Sequence, residues 1–219
     1  MADPFLENQG QECLLKAIES GNFDALHNDI SATGNMAAQS GETLGRALVF
    51  SVQRNALSAA RLLIHRGADL ETREPTLWRT PLIIAAYDGS LSMVEFLLRK
   101  GADVSAEDDF GNSALCVAAE NGGAALVELL ITHRAVIDHR NDLEWTPLIS
   151  ACASGNLAAI NVLAAHGANL EARSVLGWTP LIVAAQYDHR NVVARLLELG
   201  ARVDVKDGFG RTAAQILKC

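Results

Sequence analysis

"GWTPLIVAAQYDH", residues 177–189, holds a phrase that the chain uses more than once. Trp178-Thr179-Pro180-Leu181-Ile182 nearly repeats Trp145-Thr146-Pro147-Leu148-Ile149, and Arg79-Thr80-Pro81-Leu82-Ile83 is a third version. Thr80, Ser113, Thr146, Thr179 and Thr212 stand 33 residues apart and open TPLIIAA, SALCVAA, TPLISAC, TPLIVAA and TAAQIL. A second marker runs beside the first: Gly67-Ala68-Asp69, Gly101-Ala102-Asp103, Arg134-Ala135-Val136, Gly167-Ala168-Asn169 and Gly200-Ala201-Arg202, at spacings of 34, 33, 33 and 33. Two independent markers that keep one period define an internal repeat, and the repeat has to be read before anything else.

The period has a physical reading. Thr before Pro starts a helix: the hydroxyl accepts from an N–H of the first turn, and Pro at the first helical position has no N–H to leave unpaired. Leu181, Ala184 and Ala185 then make a short helix whose Ala face lets a neighbour come close. Gly89, Gly122 and Gly155 end that helix and turn the chain. A second helix follows, with apolar residues at helical spacing, such as Val94, Leu97 and Leu98 or Val193, Leu196 and Leu197. The Gly of each Gly-Ala pair supplies a left-handed C-cap, and a polar hairpin leads to the next Thr. A unit with only one other helix to cover its apolar face cannot stand alone, so units must stack into a solenoid.

Thr-Pro-Leu-x-x-Ala-Ala, a Gly three residues on, then Leu-Leu and Gly-Ala-Asp at this period resembles the ankyrin repeat over roughly residues 43–219. The resemblance implies an all-α solenoid of stacked helix-turn-helix units with connecting β-hairpin loops, about six in number. Residues 1–42 read as a degenerate N-terminal capping repeat and an irregular link, 43–208 as the repeats, and 209–219 as a partial C-terminal capping repeat. Leu14-Leu15-Lys16-Ala17-Ile18 and Gly21 carry the first of these; Ser31-Ala32-Thr33-Gly34-Asn35-Met36 fits no repeat.

The departures from the family pattern are informative. The family's His after Thr-Pro-Leu is replaced by Ile83, Cys116, Ile149 and Ile182, so buried aliphatic surface is expected to replace a polar tie between units. Arg134 stands where a C-cap Gly belongs, at about 1 kcal/mol if the geometry is kept. One residue is inserted near Glu74-Pro75-Thr76, and Arg46-Ala47-Leu48 replaces Thr-Pro-Leu in the first complete unit.

Composition excludes several classes. A formal charge of −8 disfavours phosphate backbones, so no nucleic acid is expected. No apolar run approaches the roughly 20 residues of a membrane span, and MADPFLENQG is no signal peptide. A cytoplasmic, reducing location is expected, with the nucleus as the alternative. Cys13, Cys116, Cys152 and Cys219 lack metal spacing and read as reduced thiols, Cys116 and Cys152 on buried first-helix positions.

Strings that imitate cofactor motifs dissolve into the repeat. Asp109-Phe110-Gly111 comes without a Gly-rich loop or HRD phrase, and Gly208-Phe209-Gly210 has no preceding strand. His65, His133 and His166 recur at second-helix ends, where a cation suits the helix dipole. His189 opens a second helix as a structural His, and His139 is the one hairpin His that could meet a partner. No catalytic, cofactor-binding or metal site is expected, no small-molecule substrate, and no enzyme activity.

In the family the partner-facing surface is the hairpin tips and the exposed ends of the first helices. Carried over, the tips are Leu77, Trp78 and Arg79; Asp109, Phe110 and Asn112; Leu143 and Trp145; Leu176 and Trp178; Phe209 and Arg211. The helix ends are Tyr87 and Asp88; Glu120 and Asn121; Ala153 and Ser154; Gln186 and Tyr187. All three Trp and both Tyr of the chain fall in these positions, and such residues anchor interfaces. Rings just before Thr-Pro are also ordinary framework in this family, which leaves Tyr87 and Tyr187 as the stronger anchors. Acidic neighbours Asp88, Asp109, Glu120 and Asp142 favour a basic or mixed-charge protein partner. The expected function is thus a protein-interaction module or adaptor, with a structural spacer in a larger intracellular assembly, such as a cytoskeletal one, as the alternative.

Overall fold

The structure, a computed structural model, describes residues 41–217. The capping repeat expected before residue 41, and Cys13 and Cys219, lie outside the described residues. Eleven helices run through the described part: α1 Gly41–Gln53, α2 Leu57–His65, α3 Pro81–Tyr87, α4 Leu91–Arg99, α5 Ala114–Asn121, α6 Ala124–Thr132, α7 Pro147–Ser154, α8 Leu157–Ala165, α9 Pro180–Gln186, α10 Arg190–Glu198 and α11 Ala213–Ile216. The fold is the all-α ankyrin solenoid. Its hairpins are too short to count as strands: the described residues hold one isolated bridge, between Glu107 and Ser113.

The chain divides into two compact units. The described part of the first is residues 41–85 and 92–103; the second takes residues 86–91 and everything from 104 on. In the first, α1 packs on α2, burying Leu48, Val52 and Leu63. Here Arg46-Ala47-Leu48, in the place of Thr-Pro-Leu, starts no helix, because α1 is already running there. Gly45 is required by closeness: a Cβ on it would lie 1.9 Å from Thr72 Oγ1 of the hairpin. In the second unit the first helices α5, α7, α9 and α11 stack in one row, and the second helices α6, α8 and α10 in another. Leu115, Leu148, Leu130, Leu163 and Leu196 are fully enclosed, as are Ala118, Ala151 and Ala184 on the faces where helices meet.

The helix starts follow the local chemistry of Thr and Ser. Ile83, Cys116, Ile149 and Ile182 each donate a backbone N–H to the hydroxyl of Thr80, Ser113, Thr146 and Thr179, at 3.4 Å. Pro147 and Pro180 open their helices. The second-helix ends also close as expected: Gly67, Gly101, Gly167 and Gly200 all have positive φ, and Arg134 keeps that left-handed geometry at φ 69°. The Ala after each donates to the carbonyl five residues back, as Ala135 does to Leu130 at 3.0 Å.

Two expectations are corrected. Gly122 has φ −88° rather than the positive φ of Gly89 and Gly155; it is glycine because a Cβ would stand 2.6 Å from the Ala118 carbonyl oxygen. The polar tie between repeats has moved rather than vanished. Asn156 caps α8 through Oδ1, and its Nδ2 donates to the carbonyls of Ala119 and Gly122 at 3.0 and 2.8 Å. His189 Nε2 meets the Ala153 carbonyl at 2.9 Å. Ile83, Cys116, Ile149 and Ile182 are buried as anticipated, so aliphatic burial and polar ties act together.

Candidate functional site: the hairpin tips

Each hairpin is shaped by one polar side chain, buried except for the half-buried Asn141, that the functional reading of the sequence passed over. Asp108 Oδ1 accepts from the N–H of Phe110 and Asn112; Asn141 Oδ1 accepts from Leu143 and Trp145. Ser174 Oγ accepts from Leu176 and Trp178; Asp207 Oδ1 accepts from Phe209 and Arg211. These four caps are themselves 33 residues apart, so the signal was there: a short polar residue five places before each Ser or Thr. In the first unit the inserted residue lengthens the loop, its closing bond running from Glu74 to Arg79 instead of over four residues. The longer Glu74 fills the cap, accepting from the N–H of Thr76 and Leu77.

Burial alone would raise the carboxyl of Asp207, but N–H donors from Arg211 and Phe209 and the Arg211 guanidinium outweigh it and hold the group below the ordinary carboxylate range. The same contest at Glu74, burial against the Thr76 hydroxyl and backbone N–H groups, also ends below it.

The residue after each tip reverses the chain. Gly111, Gly177 and Gly210 have positive φ, and Trp78 and Glu144 adopt the same conformation at 58° and 59°. Trp78 thereby leaves the register of Trp145 and Trp178: it is 53% exposed, whereas those two are half-buried. It borders a groove of about 820 Å³ in the first unit, with Arg46, Phe50 and Arg73.

Successive hairpins of the second unit are tied backbone to backbone. Asp142 N donates to the Phe110 carbonyl at 3.1 Å, Val175 N to Leu143 at 3.1 Å, and Gly208 N to Leu176 at 2.9 Å. Arg140 and Arg173 reach forward to the carbonyls of Arg173 and Lys206. Phe110, Leu143, Leu176 and Phe209 therefore stand in one register, and all four are exposed, between 44% and 68%.

The remaining expected residues sort clearly. Tyr87, Asp88, Asp109, Glu120, Asn121, Ser154, Gln186, Tyr187 and Arg211 are exposed; Leu77, Arg79, Asn112 and Ala153 are half-buried. Tyr187 stacks on His189, ring centroids 6.4 Å apart. Asn112 is occupied by its neighbour, accepting from Asn141 Nδ2 at 2.8 Å. Arg211 pairs with Asp207 and lies over the Phe209 ring. His139 is no free hairpin His: its ring is largely buried and meets the Gly111 carbonyl at 2.8 Å. Burial pushes the Cys116 thiol up to about 11 and Cys152 higher still, so both are inert small hydrophobes at neutral pH. Among the described residues no group of His, Cys, Asp and Glu could hold a metal, and no helix is long and apolar enough to cross a membrane.

Stacked helix pairs, left-handed caps and hairpins at a 33-residue period define a repeat protein of the ankyrin class. The chain belongs to the ankyrin-repeat family: the family model "Ankyrin repeats (3 copies)" matches residues 48–141 and 115–207. The chain is similar to Ankyrin repeat and SOCS box protein 6 of Pongo abelii, 33% identical over 113 residues, 51% of this chain and 27% of that protein. It is also similar to the B-cell lymphoma 3 protein homolog of Mus musculus, 42% over 69 residues, 32% of this chain and 15% of that one. Protein phosphatase 1 regulatory subunit 27 of Mus musculus is 39% identical over 66 residues, 30% of this chain and 42% of that one. The chain thus spans less than half the length of each of these relatives.

Proposed function

We propose that the chain is a non-catalytic protein-interaction module that binds its partner through the hairpin tips and first-helix ends. The observation that carries this reading is the row Phe110, Leu143, Leu176 and Phe209: four exposed apolar side chains held in one register by cross-hairpin bonds. Apolar side chains on a rigid support anchor interfaces because they are desolvated without first losing backbone freedom. Tyr187, braced on His189, adds a pre-ordered aromatic at the helix-end row, and Trp78 and Leu77 supply the first unit's own contact. Asp109, Glu120 and Asp142 favour a basic or mixed-charge partner. A regulatory subunit among the relatives supports a role exercised by binding. The site of action on this reading is the cytoplasm.

Affinity purification from cell extract with the native chain and with a Phe110→Ser, Leu143→Ser, Leu176→Ser, Phe209→Ser variant tests it. Such exposed substitutions leave stability within about 0.5 kcal/mol each, so the variant should fold. The expected result is loss of specific protein partners. Unchanged co-purification overturns the reading in favour of a spacer within a larger assembly.

A further inference from the structure

We propose that the tip row of the second unit takes a linear peptide segment whose charge runs opposite to its own, with basic side chains over the first tips, acidic ones over the last, and apolar ones between. This rests on the interaction reading above and gives its partner a chemistry and an orientation.

The row is narrow: each hairpin offers one apolar residue at the tip position, Phe110, Leu143, Leu176 and Phe209, and hairpin 173–178 alone adds an exposed apolar neighbour, Val175. A line of contacts suits a chain segment better than a broad face. With packed repeats about 9 Å apart, four tips span about 27 Å, which a chain in the polyproline-II conformation covers in about nine or ten residues at roughly 3.1 Å each. Three residues per turn set every third side chain of such a segment on one face, about 9 Å apart, so that each meets a tip.

The charge along the row is ordered. Residues 107–112 carry Glu107, Asp108 and Asp109 with no basic residue; 140–145 carry Arg140 against Asp142 and Glu144; 173–178 carry Arg173 alone; 206–211 carry Lys206 and Arg211 against Asp207. Formal charge thus steps from −3 through −1 to +1 and +1. Pairing within hairpins leaves the contrast intact. Arg140 is neutralised by Glu144, and Arg211 by Asp207. Asp109 and Asp142 are exposed, 33 positions apart, and make no side-chain hydrogen bond or ion pair among the described residues. At the other end Lys206 and Arg173 are exposed, Arg173 donating to the Lys206 carbonyl. A row with unlike ends fixes orientation, because the reversed segment would set like charges together.

The probe is a fluorescent peptide of that length with paired Arg at one end, paired Glu at the other and Leu at every third position, carrying a photo-crosslinker beside the Arg pair. Its control has the same composition with the charges alternated. In anisotropy titrations the bipolar peptide should bind about tenfold tighter than the control, a difference of about 1.4 kcal/mol. Its crosslinks should fall within residues 107–112 or 140–145. Asp109→Lys with Asp142→Lys should abolish the preference while the circular dichroism spectrum is kept. Equal binding of the two peptides, or crosslinks at 206–211, overturns the proposal. If the serine variant above loses its protein partners while no peptide preference exists, this proposal falls and the interaction reading stands.

Discussion

At the scale of the single residue, the departures from the repeat are the places where stability is adjustable. Arg134 holds φ 69° at a position where Gly67, Gly101, Gly167 and Gly200 relieve the strain. A left-handed L-residue carries about 1–2 kcal/mol of backbone penalty, partly offset by the greater unfolded-state freedom of glycine. Arg134→Gly should therefore raise the melting temperature by about 2 °C for a domain of this size, read by differential scanning calorimetry. Gly101→Arg should move it down. This strain was legible in the sequence, because the Gly-Ala column shows Arg134 out of place. The conformation of Trp78 was not: alignment on Thr80 puts its ring one place before those of Trp145 and Trp178, but its positive φ comes with the longer loop closed over the Glu74 cap.

At the scale of the element, each first-helix start from α3 on was readable from Thr or Ser before an apolar run, and each second-helix end from Gly-Ala or its Arg134-Ala135 variant. The ties between elements were not, because they depend on which side chain meets which carbonyl across about 35 residues. Asn156 shows this: one side chain caps α8 and bonds two carbonyls of the preceding repeat. Asn156→Ala removes the cap, worth about 1 kcal/mol, and leaves two half-buried carbonyls short of a donor. A total loss of about 2 kcal/mol is expected in urea unfolding, whereas Asn191→Ala, on the exposed face of α10, should change the midpoint little. The tips followed the same division. Phe110, Leu143, Leu176 and Phe209 were visible as candidates, but their common register comes from backbone bonds, which residue identity does not encode directly. His139 was misjudged for that reason: its acceptor is the Gly111 carbonyl, 28 positions away.

At the scale of the whole molecule, stability in a stacked array is a sum of repeat and neighbour terms, and protection should follow the number of neighbours. Within the second unit α7 is flanked by α5 and α9 in its row, while α11 is four residues long and packs on α9. Hydrogen exchange monitored by mass spectrometry should show slow exchange in α7 and fast exchange in α11. Leu148→Ala, at a fully enclosed site of α7, should cost about 2–5 kcal/mol and speed exchange in α5 and α9 as well. Uniform protection across the unit would contradict additive repeat energetics.

Apart from Arg140 and Arg173, which reach forward, the ties between repeats share a direction. Asp142, Val175 and Gly208 donate to the hairpin before their own, Asn156 to the helix before, and the backbone N–H groups of Asp103, Asn169 and Arg202 to carboxylates of Glu71, Asp138 and Glu171 one repeat earlier. A chain emerging from the ribosome N-terminus first thus brings each new donor to an acceptor already made. The polarity of bonding runs with the polarity of synthesis, so each repeat can dock as it appears without waiting for the next.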